Sequence, residues 1–209
     1  TGKERQITAK HAPAVYPALR WTQSGLYAIT DRTDDLGAFC KIDPQTGELQ
    51  ELLRAAALTA TGEFEHLLIA SDEKSAVVSL NEDGFHRLFW LNLETFERKE
   101  IALPGIGVLG TVRFDSDNQR LVFNWQSAVN NSNLWVVELE SNKLRQLTFF
   151  DRAGIAPEHF KAPELIRFAT FDGLQIPAWY FTPPSPAPAD GYPCILYVHG
   201  GPASQLRPE

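Results

Sequence analysis

Apolar and polar positions alternate along most of the chain in short runs that end at polar turns. The clusters Asp43–Gly47 and Glu82–Gly84 are examples of such turns, each placed between two runs rich in Val, Leu, Ile and aromatic residues. Alternation with a period of two residues, bounded by Gly, Pro, Asn and Asp, is typical of β-strands joined by hairpins. The pattern therefore predicts a chain that consists mainly of strands.

Three consecutive segments repeat the same layout of four apolar runs and their turns. With Ile42, Leu93 and Leu139 taken as equivalent positions, the repeats are spaced by 51 and then 46 residues. Four short strands recurring at this spacing predict the blades of a β-propeller. We assign residues 1–155 to about three four-stranded blades. Because three blades cannot close a ring, we expect further blades in a longer protein.

Two stretches within the repeats have an ambiguous pattern. Residues 50–58 contain good helix formers at helical spacing, although the repeat requires a strand there. We predict a strand over residues 48–52 and a short helix after it, which is the longest helical candidate of the chain. Residues 130–133 are interpreted as a polar hairpin turn.

The pattern changes after Phe150. A connector with several prolines leads to two apolar runs separated by Asp172-Gly173, a dipeptide typical of hairpin turns. A proline-rich loop over residues 183–191 follows, and then the run Cys194–Val198, which has the character of a buried strand. This run ends abruptly at His199-Gly200-Gly201-Pro202.

A buried strand that runs into His-Gly-Gly is typical of α/β-hydrolases, where the loop after the third strand donates a backbone N–H to the oxyanion hole. Glycine suits this position because the backbone must turn sharply and approach the substrate closely. The bare tripeptide could also be a tight turn without any chemistry. The strand and the hairpin before it favour the functional interpretation.

The order of these features resembles the prolyl oligopeptidase family of serine peptidases, and in particular its acylaminoacyl-peptidase-like branch. The resemblance rests on the blades, on Phe171–Pro177, and on His199–Gln205 with Arg207-Pro208. It implies a mainly β chain, in which a partial β-propeller is followed by the first strands of an α/β-hydrolase domain. Residues 156–209 would then be the N-terminal part of the catalytic domain.

The resemblance also implies which residues take part in catalysis. Gly201 matches the position whose backbone N–H stabilises the oxyanion, with His199, Gly200 and Pro202 as the supporting loop. The catalytic Ser, Asp and His are expected downstream of Glu209, so we assign no catalytic side chain and expect the chain alone to be inactive. No cofactor and no metal are implied.

Most other candidate residues have simpler structural interpretations. The remaining histidines show no metal-ligand spacing and are interpreted as structural or exposed: His11, His66, His86 and His159. The tryptophans on the blade strands are interpreted as packing residues: Trp90, Trp125 and Trp135. Cys40 and Cys194 are interpreted as small hydrophobic residues, Cys194 within the buried strand. Glu82 and Arg87 lie in a blade loop, which is not enough to name them as substrate ligands.

Composition restricts the classes of partner. The net charge is −7 without a basic patch, which argues against nucleic acid, and no apolar run is long enough to cross a membrane. We expect a peptide substrate and a cytoplasmic location, and a homo-oligomer of the longer protein remains open. Two alternatives also stay open: an esterase that uses the same oxyanion loop, and a propeller that serves as a protein-binding scaffold.

Overall fold

The computed structural model describes residues 2–8, 12–201 and 204–209. This part of the chain contains fourteen strands in four antiparallel sheets, and its only helical segments are the 3₁₀ turns Ala55–Ala57 and Pro157–His159. Three of the sheets are four-stranded meanders, which confirms the prediction of about three propeller blades. The fourth sheet is a two-stranded hairpin.

Each blade is formed by consecutive strands. Blade 1 contains β1 (Ala18–Trp21), β2 (Leu26–Thr30), β3 (Ala38–Ile42) and β4 (Leu49–Arg54). Blade 2 contains β5 (Glu63–Ile69), β6 (Ser75–Glu82), β7 (Phe85–Asn92) and β8 (Arg98–Ile101). Blade 3 contains β9 (Val108–Phe114), β10 (Arg120–Ser127), β11 (Asn130–Glu138) and β12 (Leu144–Gln146). The hairpin pairs β13 (Glu164–Ala169) with β14 (Gln175–Tyr180).

The ambiguous stretch at residues 50–58 follows the repeat. Strand β4 runs to Arg54, and the 3₁₀ turn Ala55–Ala57 comes directly after it, as predicted. The predicted turn at residues 130–133 is wrong, because Asn130 already begins β11 and the tight turn lies at Ala128 and Val129. Asn130 and Asn131 are exposed at the start of the strand, whereas Asn133 is buried and accepts hydrogen bonds from Thr148 and Phe150.

The blades are held together by apolar side chains on both faces of their sheets. In β6, Ala76, Val78 and Leu80 face a cluster shared with blade 1, while Val77 faces a second cluster shared with blade 3. Successive residues of a strand point to opposite faces, so a strand buried on both sides has a nearly continuous apolar sequence. This arrangement explains why Ala76–Leu80 of β6 are all buried and, apart from Ser79, apolar. It also makes each blade depend on its neighbour for a core.

The tryptophans contribute to the second cluster. Trp125 is 1% exposed, and the partly buried Trp90 and Trp135 pack against the same side chains. Their interpretation as packing residues is confirmed. Cys40 is also buried, and burial raises the pKa of its thiol to about 12. Its interpretation as a small hydrophobic residue is therefore confirmed as well.

The β3–β4 turn of blade 1 and its counterparts in the other blades define the repeat more exactly than the apolar pattern does. The backbone N–H groups of Asp43, Asn92 and Glu138 each donate to a carbonyl across the turn, at 2.8, 2.8 and 3.1 Å. These equivalent positions are 49 and then 46 residues apart. The equivalence of Ile42 with Leu93 is therefore wrong by two positions, because turn geometry and not apolar character sets the register.

Short polar links join neighbouring blades at the end of the propeller that carries the β1–β2, β5–β6 and β9–β10 turns, here called the lower end. The carboxylate of Glu73 accepts hydrogen bonds from the N–H groups of Gln23 and Ser24, at 2.6 and 3.0 Å. Asn118 Oδ1 accepts from the N–H of Ser71 at 3.2 Å in the next pair of blades. Glu73 and Asn118 both have a φ of 55°, so the link recurs with the same turn geometry.

Candidate functional site

The run Cys194–Val198 is not a buried strand in the structure. The segment forms no regular structure, and Ile195 and Val198 are 91% and 74% exposed. Cys194 is exposed too, which corrects its predicted burial. A strand of this composition requires partner strands and a covering layer, and among the described residues only β13 and β14 pair in this part of the chain.

The loop His199–Gly201, which follows this run, is exposed to solvent. His199 Nδ1 donates to the carbonyl oxygen of Gly200 at 2.9 Å, and a Cβ added at Gly200 would have no described neighbour within 4 Å. Gly201 has a φ of 155°. Pro202 lies outside the described residues. The role of the Gly201 N–H as an oxyanion donor stays a prediction.

A serine and a histidine in blade 2 have the distance expected of a nucleophile and its base. Ser79 Oγ lies 2.7 Å from His66 Nδ1, and the backbone N–H of His66 donates to the same oxygen at 3.1 Å. The hydroxyl oxygen accepts from the backbone N–H and also shares a hydrogen bond with Nδ1, whose direction follows the tautomer of the ring. Ser79 is fully buried, so no substrate can reach its oxygen, and the pair serves to hold β5 on β6.

A second group of polar side chains lies beside this pair. Glu65 accepts hydrogen bonds from His86 Nε2 at 2.7 Å and from Arg207 Nη2 at 3.0 and 3.2 Å. Burial alone would raise the pKa of Glu65, but the hydrogen bonds from His86 and Arg207 outweigh this effect and lower the pKa to about 2. The carboxylate is therefore ionised at neutral pH.

The backbone around His86 fixes its tautomer. The N–H of Leu109 in β9 donates to His86 Nδ1 at 2.8 Å, so the ring proton sits on Nε2 and points to Glu65. Arg207 Nη1 lies 3.3 Å from the same Nε2, but both atoms are donors, so this approach is a contact and not a hydrogen bond. His86 is 2% exposed, and its ring thus connects β7, β9 and Glu65.

The residues around Arg207 contact the end of the propeller opposite to the lower end, which we call the upper end; it carries the β6–β7 and β10–β11 turns. Gln205 accepts a hydrogen bond from Asn81 at 2.8 Å, and the carbonyl of Pro208 accepts from the N–H of Ala128 at 3.0 Å. Glu209 is bound by the side-chain amide of Gln126. Residues 205–209 therefore lie along the turns of blades 2 and 3.

The β13–β14 hairpin contacts the same upper end. Trp179 Nε1 donates to the carbonyl of Asp83 at 2.9 Å, and Arg167 forms an ion pair with the Asp83 carboxylate. Gly84, next in the turn, has a φ of 95°, and a Cβ there would lie 2.9 Å from the carbonyl oxygen of Leu206. Glycine is required here for both reasons.

The predicted loop position of Glu82 and Arg87 is wrong, because they lie in strands β6 and β7, and both are engaged with residues of their own blade. Arg87 forms ion pairs with Glu82 at 3.2 Å and with Glu100 at 2.8 Å. The hydrogen bonds that Arg87 donates to the Glu100 carboxylate are the main reason that the pKa of Arg87 is raised. This pairing supports the decision not to name Glu82 and Arg87 as substrate ligands.

Two shallow cavities lie at the lower end, away from the His199–Gly201 loop. One of about 660 Å³ is lined by Trp21, Gln23 and Glu73, and one of about 690 Å³ by Arg20, Arg113 and Asn118. Arg20 and Arg113 each donate to the carbonyl of the preceding residue, at 2.7 and 2.8 Å. These cavities are part of the junctions between blades.

Sequence reasoning missed the group formed by Glu65, His86 and Arg207. The sequence predicts only a structural or exposed role for His86, and it indicates Arg207 only as part of the family resemblance. Glu65 and Arg207 are separated by 142 positions, and no local pattern indicates such a pair. The one local signal is in β5, where two glutamates and a histidine precede the apolar residues Leu67–Ile69.

No group of three or more His, Cys, Asp and Glu side chains among the described residues is arranged to hold a metal ion. No helix in that part of the chain is long and apolar enough to cross a membrane.

Comparison with solved structures identifies the fold. No family model and no curated protein sequence matches the chain. The crystal structure of puromycin hydrolase matches 93% of the chain with a TM-score of 0.77 and 22% identity. Prolyl oligopeptidase B from Galerina marginata, bound to a 25mer macrocyclization substrate, matches 83% with a TM-score of 0.67 and 12% identity. A prolyl endopeptidase matches 78% with a TM-score of 0.65 and 16% identity.

The chain corresponds to only part of these proteins. It spans 30% of puromycin hydrolase and 24% of each of the two other structures. The match to puromycin hydrolase covers nearly the whole chain, more than the three blades alone. The chain therefore has the fold of prolyl oligopeptidase-type enzymes, and the resemblance to this family is confirmed at the level of the fold.

Proposed function

We propose that the chain is the part of a prolyl oligopeptidase-type serine peptidase in which the propeller meets the catalytic domain. The observation that carries this proposal is the match of 93% of the chain to puromycin hydrolase, together with His199-Gly200-Gly201 after the propeller and hairpin. The longer protein would hydrolyse short peptides by acyl transfer to a serine beyond Glu209. The catalytic Asp and His would follow the serine, and no cofactor is needed.

In this proposal the backbone N–H of Gly201 is one of the two oxyanion donors. The second donor would be the amide that follows the nucleophile. Both amides would bind the oxygen only when it gains charge in the tetrahedral intermediate. Such donors lower the barrier without strengthening substrate binding.

The test is the variant Gly201→Pro in the longer protein. Proline removes the N–H, so we expect kcat to fall by ~10²–10³ while KM stays near its original value. Gly201→Ala is the steric control, because it keeps the N–H while its Cβ strains a backbone whose φ is 155°. The measurement is steady-state kinetics on a peptide anilide, with folding checked by thermal melts.

Three outcomes would contradict the proposal. A folded Gly201→Pro variant that keeps kcat within about threefold of the parent would exclude the oxyanion role. A longer protein with no serine that reacts with a fluorophosphonate would favour the protein-binding scaffold. Cleavage of esters but not of peptide anilides would favour the esterase. The 209-residue chain alone serves as the blank and should show no turnover that survives repurification.

A further inference from the structure

The chain returns to the propeller directly after the His199–Gly201 loop. Arg207 reaches Glu65 in blade 2, the carbonyl of Pro208 binds the N–H of Ala128 in blade 3, and Gln205 binds Asn81. The contacts include an ion pair, a backbone hydrogen bond and a hydrogen bond between side chains. Pro208 is itself buried. The end of the described chain is thus held against two blades at several points.

We propose that Glu65 and His86 are positioning residues for the His199–Gly201 loop, acting through Arg207. The propeller would then do more than cover a catalytic site, because two of its side chains would determine where the proposed oxyanion amide lies. The consequence for catalysis rests on the proposed function. The positioning itself does not, and it can be measured without any turnover.

Glu65 is the central residue of this arrangement. Its two carboxylate oxygens accept from the Arg207 guanidinium at 3.0 and 3.2 Å, and one of them also accepts from His86 at 2.7 Å. Hydrogen bonds between charged partners are stronger and more directional than neutral ones. Removing the Glu65 charge would leave Arg207 without its carboxylate and His86 Nε2 without an ionised acceptor.

His86 transmits the position of blade 3 to this carboxylate. Its Nδ1 accepts from the N–H of Leu109, which belongs to the first strand of blade 3. The ring is almost fully buried and cannot rotate without leaving that backbone N–H unsatisfied, which would be costly. Glu65 is therefore held by a ring that both blades fix.

The length of chain between the held segment Gln205–Pro208, here called the anchor, and the His199–Gly201 loop limits how far the loop can move. Gly201 and Gln205 are four residues apart, so their Cα atoms can be separated by at most ~14 Å even in a fully extended chain. A fixed Gln205–Pro208 segment therefore keeps Gly201 within ~14 Å of a point on the upper end of the propeller. Releasing the segment would remove this restriction.

The experiment compares Glu65→Gln, Arg207→Gln and Arg207→Lys with the unchanged 209-residue chain by amide hydrogen exchange and ¹H–¹⁵N spectra. We expect the exchange of the Ala128 amide, which binds the carbonyl of Pro208, to become at least about tenfold faster in Glu65→Gln and Arg207→Gln. The amide resonances of Gly200 and Gly201 should shift in both variants. Arg207→Lys keeps the positive charge, so the exchange of its Ala128 amide should lie between that of the unchanged chain and that of Arg207→Gln.

Glu100→Gln is the matched control. It removes the same charge from another ion pair of blade 2, that of Arg87, without touching residues 205–209. Its Ala128, Gly200 and Gly201 amides should remain as in the unchanged chain. The amides of β6 report whether any variant has lost the core of blade 2. Arg207 lies outside the blades, so Arg207→Gln should leave that core intact even if Glu65→Gln does not.

Two results would overturn the proposal. Unchanged Ala128 exchange in Glu65→Gln and Arg207→Gln would show that the group does not hold the segment. Faster Ala128 exchange with unmoved Gly200 and Gly201 resonances would show that the anchor does not act on the loop. Neither result depends on hydrolysis, so a failure of this inference can be told apart from a failure of the proposed peptidase function.

Discussion

At the scale of single residues, the polar interior of blade 2 contains two histidines with different partners. The rings of His66 and His86 lie 5.6 Å apart, edge to face, and Glu65 and Ser79 occupy the two outer sides of this pair. His86 Nδ1 accepts from the N–H of Leu109, and His66 Nδ1 is hydrogen-bonded to Ser79 Oγ.

His66 should make stability depend on pH. Burial is the main cause that lowers its pKa below the ordinary 6.5, and the nearby His86 adds to the effect. Below pH 6.5 the unfolded chain takes up a proton that the folded chain resists, so the free energy of unfolding should fall as the solution becomes more acidic. Urea denaturation between about pH 8 and pH 5.5 measures this slope.

The variant His66→Gln should flatten that slope, because glutamine can still accept from Ser79 but does not titrate. His159→Gln is the control, since His159 lies in an exposed 3₁₀ turn. An unchanged slope in His66→Gln would contradict the assignment. The contribution of Glu65 falls in a separate window, because its pKa of about 2 means that its stabilisation is lost only between pH 4.5 and about 2.

At the scale of secondary-structure elements, the β3–β4 turn and its counterparts share a residue with positive φ. It is Gly47 in blade 1, Phe96 in blade 2 and Asn142 in blade 3, with φ values of 74°, 60° and 55°. Glycine and asparagine tolerate this conformation, whereas a bulky aromatic residue does not. Phe96 is also 51% exposed, so its ring gains little from burial.

Replacing Phe96 by asparagine should therefore stabilise the chain. We expect a gain of about 0.5–1 kcal/mol, because the left-handed conformation costs ~1–2 kcal/mol for most side chains and part of the gain is lost with the ring contacts. Chemical denaturation measures the change. Glu94→Asn is the control in the same turn, at a position without positive φ, and should give no gain. A loss of stability in Phe96→Asn would mean that ring packing outweighs backbone strain.

The elements that sequence predicted well are those whose determinants are local. The blade strands follow from alternation and from turn residues within each blade, and the Asp172-Gly173 hairpin follows from its own dipeptide, with Gly173 at a φ of 87°. The run Cys194–Val198 has an equally clear strand composition. Its burial depends on neighbouring strands that the described residues do not supply, so the pattern alone gave the wrong environment.

The candidate site was predictable only in part for the same reason. His199-Gly200-Gly201 is a contiguous motif and could be found from sequence. The anchor behind it joins Glu65 and His86 in blade 2 to Arg207, and these residues meet only because β5, β7 and the end of the described chain converge. Such a meeting is a property of tertiary structure, and one sequence contains no periodic signal for it.

At the scale of the whole molecule, the two inter-blade clusters join the three described blades as a linear array. Blade 2 shares one cluster with blade 1 and the other with blade 3, and its two faces have separate sets of side chains. In such an array each unit is stabilised by its direct neighbours, and distant units are coupled only through the units between them. A cavity in one cluster should therefore destabilise the blades that share it more than the blade that does not.

This arrangement can be tested with one large truncation in each cluster. Phe39 in blade 1 and Phe123 in blade 3 are both 1% exposed, and either change to alanine should cost ~3–5 kcal/mol. We expect Phe39→Ala to accelerate amide hydrogen exchange most in β2 and β3, and Phe123→Ala to accelerate it most in β10 and β11, because each cavity lies in a different cluster. Blade 2 should respond to both variants, since it contributes side chains to both clusters. If the two variants accelerate exchange equally in all three blades, the blades unfold as one cooperative unit and the description as a linear array is wrong.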